Sequence, residues 1–294
     1  LSASLSHCAR LCAGVATKAQ GNSALRGYYA RQLRETAARQ RDPSLWERNY
    51  ALLSVPLPHT FRGSASSCLL PYVLEQLQAQ PSTELLPLAF DTSDAVAWRL
   101  AARDADTAKV IAAAQDLGTL HRQEVCSMLP PLVLDVRPEH TVLDLCAAPG
   151  SKTLQLLDIM NLQADLATER HRETQRDTER QEVEAAALSG VRGLLVANDV
   201  SRDRAMTIAQ RSRRGSSRTA LALLCTDARR FPALYRRAYR IKYDRVLCDV
   251  PCSGDGTLRK SASMWSRWSV KDGLSIHLLQ LAILKRGLEL LADG

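Results

Sequence analysis

The run Val142-Leu143-Asp144-Leu145-Cys146-Ala147-Ala148-Pro149-Gly150-Ser151-Lys152-Thr153 joins an apolar strand to a helix through a turn of small residues. In that layout backbone N–H groups at the helix start approach a nucleotide-like ligand, because no bulky side chain stands in the way. The phosphate-binding P-loop fails on spacing: it needs adjacent Gly and Lys, but Ser151 separates Gly150 from Lys152, and Leu145 holds the position of its earlier glycine. A second β-prone run ends in Ala197-Asn198-Asp199 and a third in Cys225-Thr226-Asp227. A carboxylate at such a strand end either accepts ribose hydroxyls of an adenosyl ligand or serves only as a turn or N-cap residue. Asp199 stands open to both readings, and Asp227 is placed to reach an adenine amino group. Two strand-end acids after a small-residue loop point to S-adenosyl-L-methionine.

A fourth run reads Tyr243-Asp244-Arg245-Val246-Leu247-Cys248-Asp249-Val250-Pro251-Cys252-Ser253-Gly254-Asp255-Gly256-Thr257. With CAAPGSKT from Cys146 and CDVPCSGDGT from Cys248, the chain resembles the Sun-domain RNA (cytosine-5) methyltransferases, and among them the multisite tRNA cytosine-5 methyltransferase subgroup. Pro56-Leu57-Pro58, His121-Arg122-Gln123-Glu124, Ser127-Met128-Leu129-Pro130-Pro131 and Val136-Arg137-Pro138 are similar to that subgroup's helical N-terminal part. The resemblance runs from Tyr28 to the C-terminus, apart from a charged insertion, and motifs of this length are specific.

The resemblance implies methylation of carbon 5 of cytosine in tRNA, with other RNAs open as substrates, from S-adenosyl-L-methionine. Carbon 5 is a poor nucleophile, so a thiolate must first add at carbon 6, converting the ring to an enamine that attacks the sulfonium methyl. A base then removes the carbon 5 proton and the thiolate leaves. In the family two cysteines share this work. The Pro-Cys cysteine, matched by Cys252, helps release product, and the nucleophile lies in a Thr-Cys motif on a fifth strand, which the sequence to Gly294 does not contain. On this reading the chain is a fragment that binds cofactor without methylating RNA by itself.

Lys152 and Asp249 match family positions beside the target base, suited to proton transfer and to holding the cytosine amino edge. The cofactor contacts fall on Cys146, Ala147, Ala148, Pro149, Gly150, Ser151, Lys152, Asp199, Asp227 and Asp249. The local alternatives are a solvated first-turn lysine for Lys152 and a strand-end cap for Asp249. For Cys252 the alternative is a buried small hydrophobe, the environment expected of Cys68, Cys126, Cys225 and Cys248. Nuclear residence follows from the same resemblance. The rival reading is a noncatalytic RNA-binding or cofactor-sensing protein.

The elements that must position these residues follow from pattern. Short β-prone runs at 141–146, 193–199, 219–225 and 245–249 alternate with helical stretches, which predicts an α/β fold: a class I, Rossmann-like core with a parallel, doubly wound sheet over 136–294. A charged insertion at 165–184, with seven acids and four arginines, should be solvated. Residues 28–135 read as a helical N-terminal region behind a basic tail, 1–27. Within it, 95–117 is an Ala-rich helix ended by Gly118, and 122–134 a helix broken at Pro130-Pro131. The last helix, 272–293, places Leu274, Leu278, Leu281, Leu284, Leu288 and Leu291 on one face to pack on the sheet, with Asp272 as N-cap and Gly294 as C-cap.

At 294 residues and 46% hydrophobic the chain is long enough for a sizeable core. No apolar run is long enough to cross a membrane as a helix. The formal charge of +8 favours a polyanionic partner, nucleic acid first. The eight cysteines form no C-x-x-C pair and indicate neither a metal site nor a disulfide scaffold. The first 34 residues hold five basic residues and no acid, as a mitochondrial transit peptide does. Arg202, Arg204, Arg211, Arg213, Arg214 and Arg218, then Arg229, Arg230, Arg236, Arg237, Arg240, Lys242 and Arg245, suit phosphate contacts or a solvated face equally. Trp265 and Trp268 are read as packing residues. Nothing in the sequence sets an oligomeric state.

Overall fold

The computed structural model describes residues 22–34, 44–53, 55–80, 85–87, 97–100, 105–174, 193–213, 219–236 and 239–293. Expectations for most of the N-terminal tail, for 175–184 of the insertion, and for Arg214, Arg218, Arg237 and Gly294 lie outside the described residues. Two four-stranded sheets are built from β1 (His59–Gly63), β2 (Leu85–Pro87), β3 (Ala97–Leu100), β4 (Leu120–Arg122), β5 (Thr141–Asp144), β6 (Leu194–Asn198), β7 (Ala220–Leu224) and β8 (Arg245–Leu247). The helices are α1 (Ser23–Gln32), α2 (Leu45–Leu53), α3 (Leu70–Gln78), α4 (Ala105–Asp116), α5 (Val125–Val133), α6 (Ser151–Thr174), α7 (Arg202–Ser212), α8 (Ala262–Arg267), α9 (Val270–Ser275) and α10 (His277–Leu290). The chain divides into two compact units: the described residues of Leu1–Leu57 with Pro251–Gln280, and those of Pro58–Val250 with Leu281–Gly294.

In the larger unit β8, β5, β6 and β7 lie side by side, all parallel. Val142, Leu143, Leu195 and Val196 are buried without alternation, as in a parallel sheet covered on both faces. The chain steps outward from β5 to β6 to β7 and then returns to the far side of β5 for β8. Connections therefore leave β5 and β8 in opposite directions, which opens a crevice beyond their carboxyl ends. The predicted parallel α/β core is present.

The N-terminal half departs from the helical expectation. β1 pairs antiparallel with β3 and β4, and β3 with β2, over a core of Phe61, Leu70, Val73, Leu77, Leu100, Ile111 and Leu120. The Ala-rich stretch is not one helix: its first residues form β3, and α4 begins at Ala105. Strands this short show no period of two, and their pairing partners are distant in sequence. Nor do the prolines break α5, since Pro130 and Pro131 sit inside it. Pro131 has no N–H for the carbonyl of Ser127, and the Gln123 side chain donates to that carbonyl instead, at 3.1 Å.

Gln123 belongs to a buried polar network joining β1 and β4 to α6. Its amide donates to Gln155 Oε1 (2.6 Å), and Gln155 donates to the Met128 carbonyl (2.9 Å). Arg62 is ion-paired with Asp158, which also accepts from Ser64 Oγ at 2.8 Å. Burial, chiefly, pushes His121 down to about 4, so it stands beside Asp158 as a neutral ring.

The last helix also differs from expectation. It is two helices, and Ser269 is the N-cap of α9, with Asp272 closing a capping box from the third position. Leu274, Leu278, Leu281, Leu284 and Leu288 are exposed, Leu278 by 75%. Ile283, Gly287 and Leu290 are buried instead. Periodicity finds an apolar stripe but not the side that faces the sheet, and here a glycine decides it. A Cβ on Gly287 would stand 2.6 Å from Cys248 Sγ and 3.3 Å from Leu145. Gly287→Ala gains up to about 1 kcal/mol of helix propensity, against about 1–3 kcal/mol for the overpacked contact. A lower Tm is expected for the single variant, with recovery when Cys248→Ala is added, measured by thermal melts of both.

Candidate active site

The loop after β5 is shaped by its own hydrogen bonds. Leu145 N donates to Leu247 O of β8 (3.0 Å) and Ala147 N to Asn198 O (2.8 Å), so both neighbouring strands hold it. Gly150 N closes a tight turn onto Ala147 O at 2.8 Å, and Leu154 N returns to Gly150 O as α6 begins. Gly150 has φ +95°, in the left-handed region, where a side chain is strained. Ala147 and Ala148 pack with Ala197 and Ile208, a contact that admits only small residues.

The second strand end meets this loop directly. The Asp199 carboxylate accepts from Ala148 N (3.2 Å) and Ser201 N (2.9 Å), so it holds the loop and the start of α7 together. Asn198, which sequence reasoning passed over, is wholly buried. Its amide donates to Leu145 O (3.1 Å) and Thr226 O (3.0 Å), and its Oδ1 accepts from Thr226 N (3.0 Å) and Oγ1 (2.9 Å). A polar residue just before a strand-end acid was its only sequence signal. Asp227 caps a short turn and takes a two-pronged contact from Arg229, whose hydrogen bond holds its carboxyl below the usual range.

The arginine cluster of α7 is partly occupied with the protein itself. Arg204 Nη2 donates to Ala148 O at 2.9 Å and Arg211 Nη1 to Pro149 O at 2.8 Å. Arg245, in β8, similarly bonds Leu134 O at 2.8 Å. These side chains hold backbone carbonyls, a use that a charge count does not reveal.

Lys152 and Asp249, predicted separately, come together: Nζ lies 2.6 Å from Oδ2, with the lysine side chain 16% exposed and the carboxylate 51%. Beneath them Asp144 is fully buried. One of its oxygens accepts the Thr153 hydroxyl at 2.7 Å and the other has no protein donor. Burial drives its carboxyl up to about 7. Burial also pushes the Cys146 thiol up to about 12 and Cys248 to about 11, so both stay protonated near neutrality and neither suits attack.

Cys252 belongs to the smaller unit and is exposed, which excludes the buried-hydrophobe reading. That environment was also expected of Cys68, Cys126 and Cys225, and all three are exposed as well. Cys252 lines a cavity of about 570 Å³ together with Met264, Arg267 and Trp268. Trp265 and Trp268 are buried packing residues, as expected. Among the described residues no His, Cys, Asp and Glu side chains gather into a metal site, and no helix is long and apolar enough to cross a membrane.

A crevice at the strand-order switch, floored by a small-residue loop and flanked by strand-end acids, defines a Rossmann-like α/β site of the methyltransferase type. The family model for 16S rRNA methyltransferase RsmB/F matches residues 131–185 and 183–294, more than half of the sequence, and the chain belongs to that family. Among curated proteins it is 33% identical to the multisite-specific tRNA:(cytosine-C(5))-methyltransferase of Saccharomyces cerevisiae, over 85% of this chain and 37% of that protein. It is 40% identical to the multisite-specific tRNA:(cytosine-C(5))-methyltransferase trm4b of Schizosaccharomyces pombe, over 61% and 26%. The tRNA (cytosine(34)-C(5))-methyltransferase of Drosophila melanogaster is 38% identical over 60% and 21%. The chain thus spans about a third or less of the length of these relatives. Two solved structures share the fold. They are NSun6 from Pyrococcus horikoshii with SFG (TM-score 0.64, 15% identity, 92% of this chain and 80% of that one) and a methyltransferase homolog protein from the same organism (0.56, 22%, 82% and 63%).

Asp144 yields a pH prediction. Its folded pKa, about 7, exceeds its ordinary 3.8, so between those values the folded state binds more protons than the unfolded one. Stability contributed by the protonated carboxyl is complete below about 4 and is lost as pH rises towards 7. Urea unfolding of the wild type and Asp144→Asn should show the wild type losing ground over that window, with a constant difference above it.

Proposed function

We propose that the chain serves S-adenosyl-L-methionine-dependent methylation of carbon 5 of cytosine in tRNA, holding cofactor and base for a nucleophilic thiolate that the family resemblance assigns to a Thr-Cys motif not among these 294 residues. The observation that carries this reading is the Lys152–Asp249 pair at the mouth of the switch-point crevice, in a chain of a methyltransferase family. The names of the curated relatives support cytosine in tRNA as the substrate.

The residues present fit the cofactor. Each oxygen of Asp199 accepts one backbone bond, Oδ2 also faces Arg204 at 3.6 Å, and Oδ1 keeps a lone pair for a ribose hydroxyl. Arg204 and Arg211 take up loop carbonyls, so the chain from Cys146 to Lys152 is held in one conformation beneath the ligand. Asp249 follows β8 at the switch point, and Asp227, held by Arg229, follows β7. Bound there, the cofactor supplies an electrophilic methyl on a sulfonium.

The chain's own groups handle the base. Asp249, half exposed, accepts the cytosine amino group while its other oxygen keeps the Lys152 ammonium in place. Lys152 donates towards the ring as charge builds on it after thiolate addition at carbon 6. Cys252, in the Pro-Cys position, assists removal of the carbon 5 proton and departure of the nucleophilic thiolate.

Asp199→Ala should weaken cofactor binding by about 1.5–3 kcal/mol, the scale of hydrogen bonds to a charged group. Calorimetric titration measures it, and an unchanged Kd reduces Asp199 to a turn residue. For the reaction, Cys252→Ala in a chain extended to include the Thr-Cys motif should accumulate a covalent RNA adduct that survives denaturing electrophoresis, because attack proceeds and elimination stalls. Absence of any adduct together with lost activity would make Cys252 the nucleophile and reverse the roles.

A further inference from the structure

The turn behind Cys252 reads Ser253-Gly254-Asp255-Gly256-Thr257 and is stiffened from outside. Gly254 has φ +84°, and a Cβ on Gly256 would meet nothing within 4 Å, so neither sterics nor packing restrains the second glycine. Between the two glycines, Asp255 collects three donors on one carboxylate. Oδ1 accepts the Ser253 hydroxyl and Trp268 Nε1, both at 2.5 Å. Oδ2 accepts the hydroxyl of Tyr29, from α1, 226 residues earlier in the chain. All of these residues lie within the smaller unit.

Tyr29 is itself held on both sides. Its ring stacks on Trp46 of α2 with centroids 5.8 Å apart and lies 6.3 Å from Trp268. The helix that carries it is fastened at its start, where Asn22 caps Leu25 N (2.9 Å) and gives its amide to the carbonyls of Trp265 (2.8 Å) and Trp268 (2.9 Å). Burial first, then the bond to Asp255, raises the Tyr29 pKa, so the phenol stays a donor at neutral pH; the Cys252 thiol is close enough to add to the shift.

We propose that Tyr29 and Asp255 are positioning residues for Cys252, and that α1 is thereby part of the reaction machinery. This rests on Cys252 taking part in the reaction proposed above. Upstream, the Pro251 carbonyl accepts from Gln280 Nε2 at 2.9 Å, but downstream of Cys252 the two-glycine turn has no fixed place of its own. The Asp255 clamp supplies one, and among the described residues the Tyr29 hydroxyl is its only donor from outside the segment 251–280.

The test uses the same extended chain with Tyr29→Phe, which removes the donor and keeps the stacked ring, and Asp255→Asn, which keeps the shape. Iodoacetamide alkylation is followed peptide by peptide by mass spectrometry, with exposed Cys68 and Cys225 as internal references. Both variants should raise the Cys252 rate by roughly two- to tenfold, the equivalent of one net hydrogen bond, and leave the references unchanged. Tyr29→Phe should also accumulate the covalent RNA adduct at an unchanged KM for the cofactor. An unchanged Cys252 rate, an equal rise at Cys68 and Cys225, or faster alkylation with normal turnover and no adduct would each overturn the proposal. If Cys252→Ala itself neither slows turnover nor accumulates adduct, the functional reading fails. If Cys252→Ala accumulates adduct and Tyr29→Phe does not, only the clamp fails.

Discussion

The Asn198 side chain is the joint on which the crevice depends. Parallel strands exchange hydrogen bonds along their length, but past the last ladder residue their ends are free to splay. Asn198 closes that gap by spending its whole amide on Leu145 beyond β5 and on Thr226 beyond β7, while its own backbone carbonyl takes Ala147 N. Two loops, one on either side of β6, are thereby set by one buried residue. An unsatisfied buried amide costs more than a bond made in water returns, so the arrangement holds as a unit or not at all.

Around that joint, environment assigns the chemistry more than residue type does. Cys146 and Cys248 are desolvated thiols near the acids and serve as filler, whereas Cys252 is open to solvent. Asp144 and Asp249 diverge in the same way. The first is sealed off with a neutral tendency, and the second is paired with a lysine and half exposed. Further copies of both groups thus stand nearby without competing with Cys252 and Asp249.

Much of the core was legible in the sequence, because strands buried on both faces write themselves as unbroken apolar runs; β5 to β8 fall within two residues of the expected bounds. The small-residue loop and the acids after it were legible for the same reason, since close backbone approach excludes large side chains. The antiparallel N-terminal sheet was not legible: strands of three to five residues have too little pattern, and their pairing is decided at long range. The inward side of α10 was misread because a glycine, which carries no hydrophobic signal, is what fits against Cys248. The partners of Arg204 and Arg211 were hidden too, as a backbone carbonyl leaves no trace in residue type.

The buried network of Arg62, Ser64, Gln123, Gln155 and Asp158 grips α6 two turns after it leaves the cofactor loop. Axial sliding of the helix would break a buried ion pair and two amide bonds at once, so the rod is bolted in register at that height. The start of α6, tied to β5 through Thr153 and Asp144 and to β1 and the loop after β4 through Asp158 and Gln155, therefore presents the cofactor loop from a fixed height.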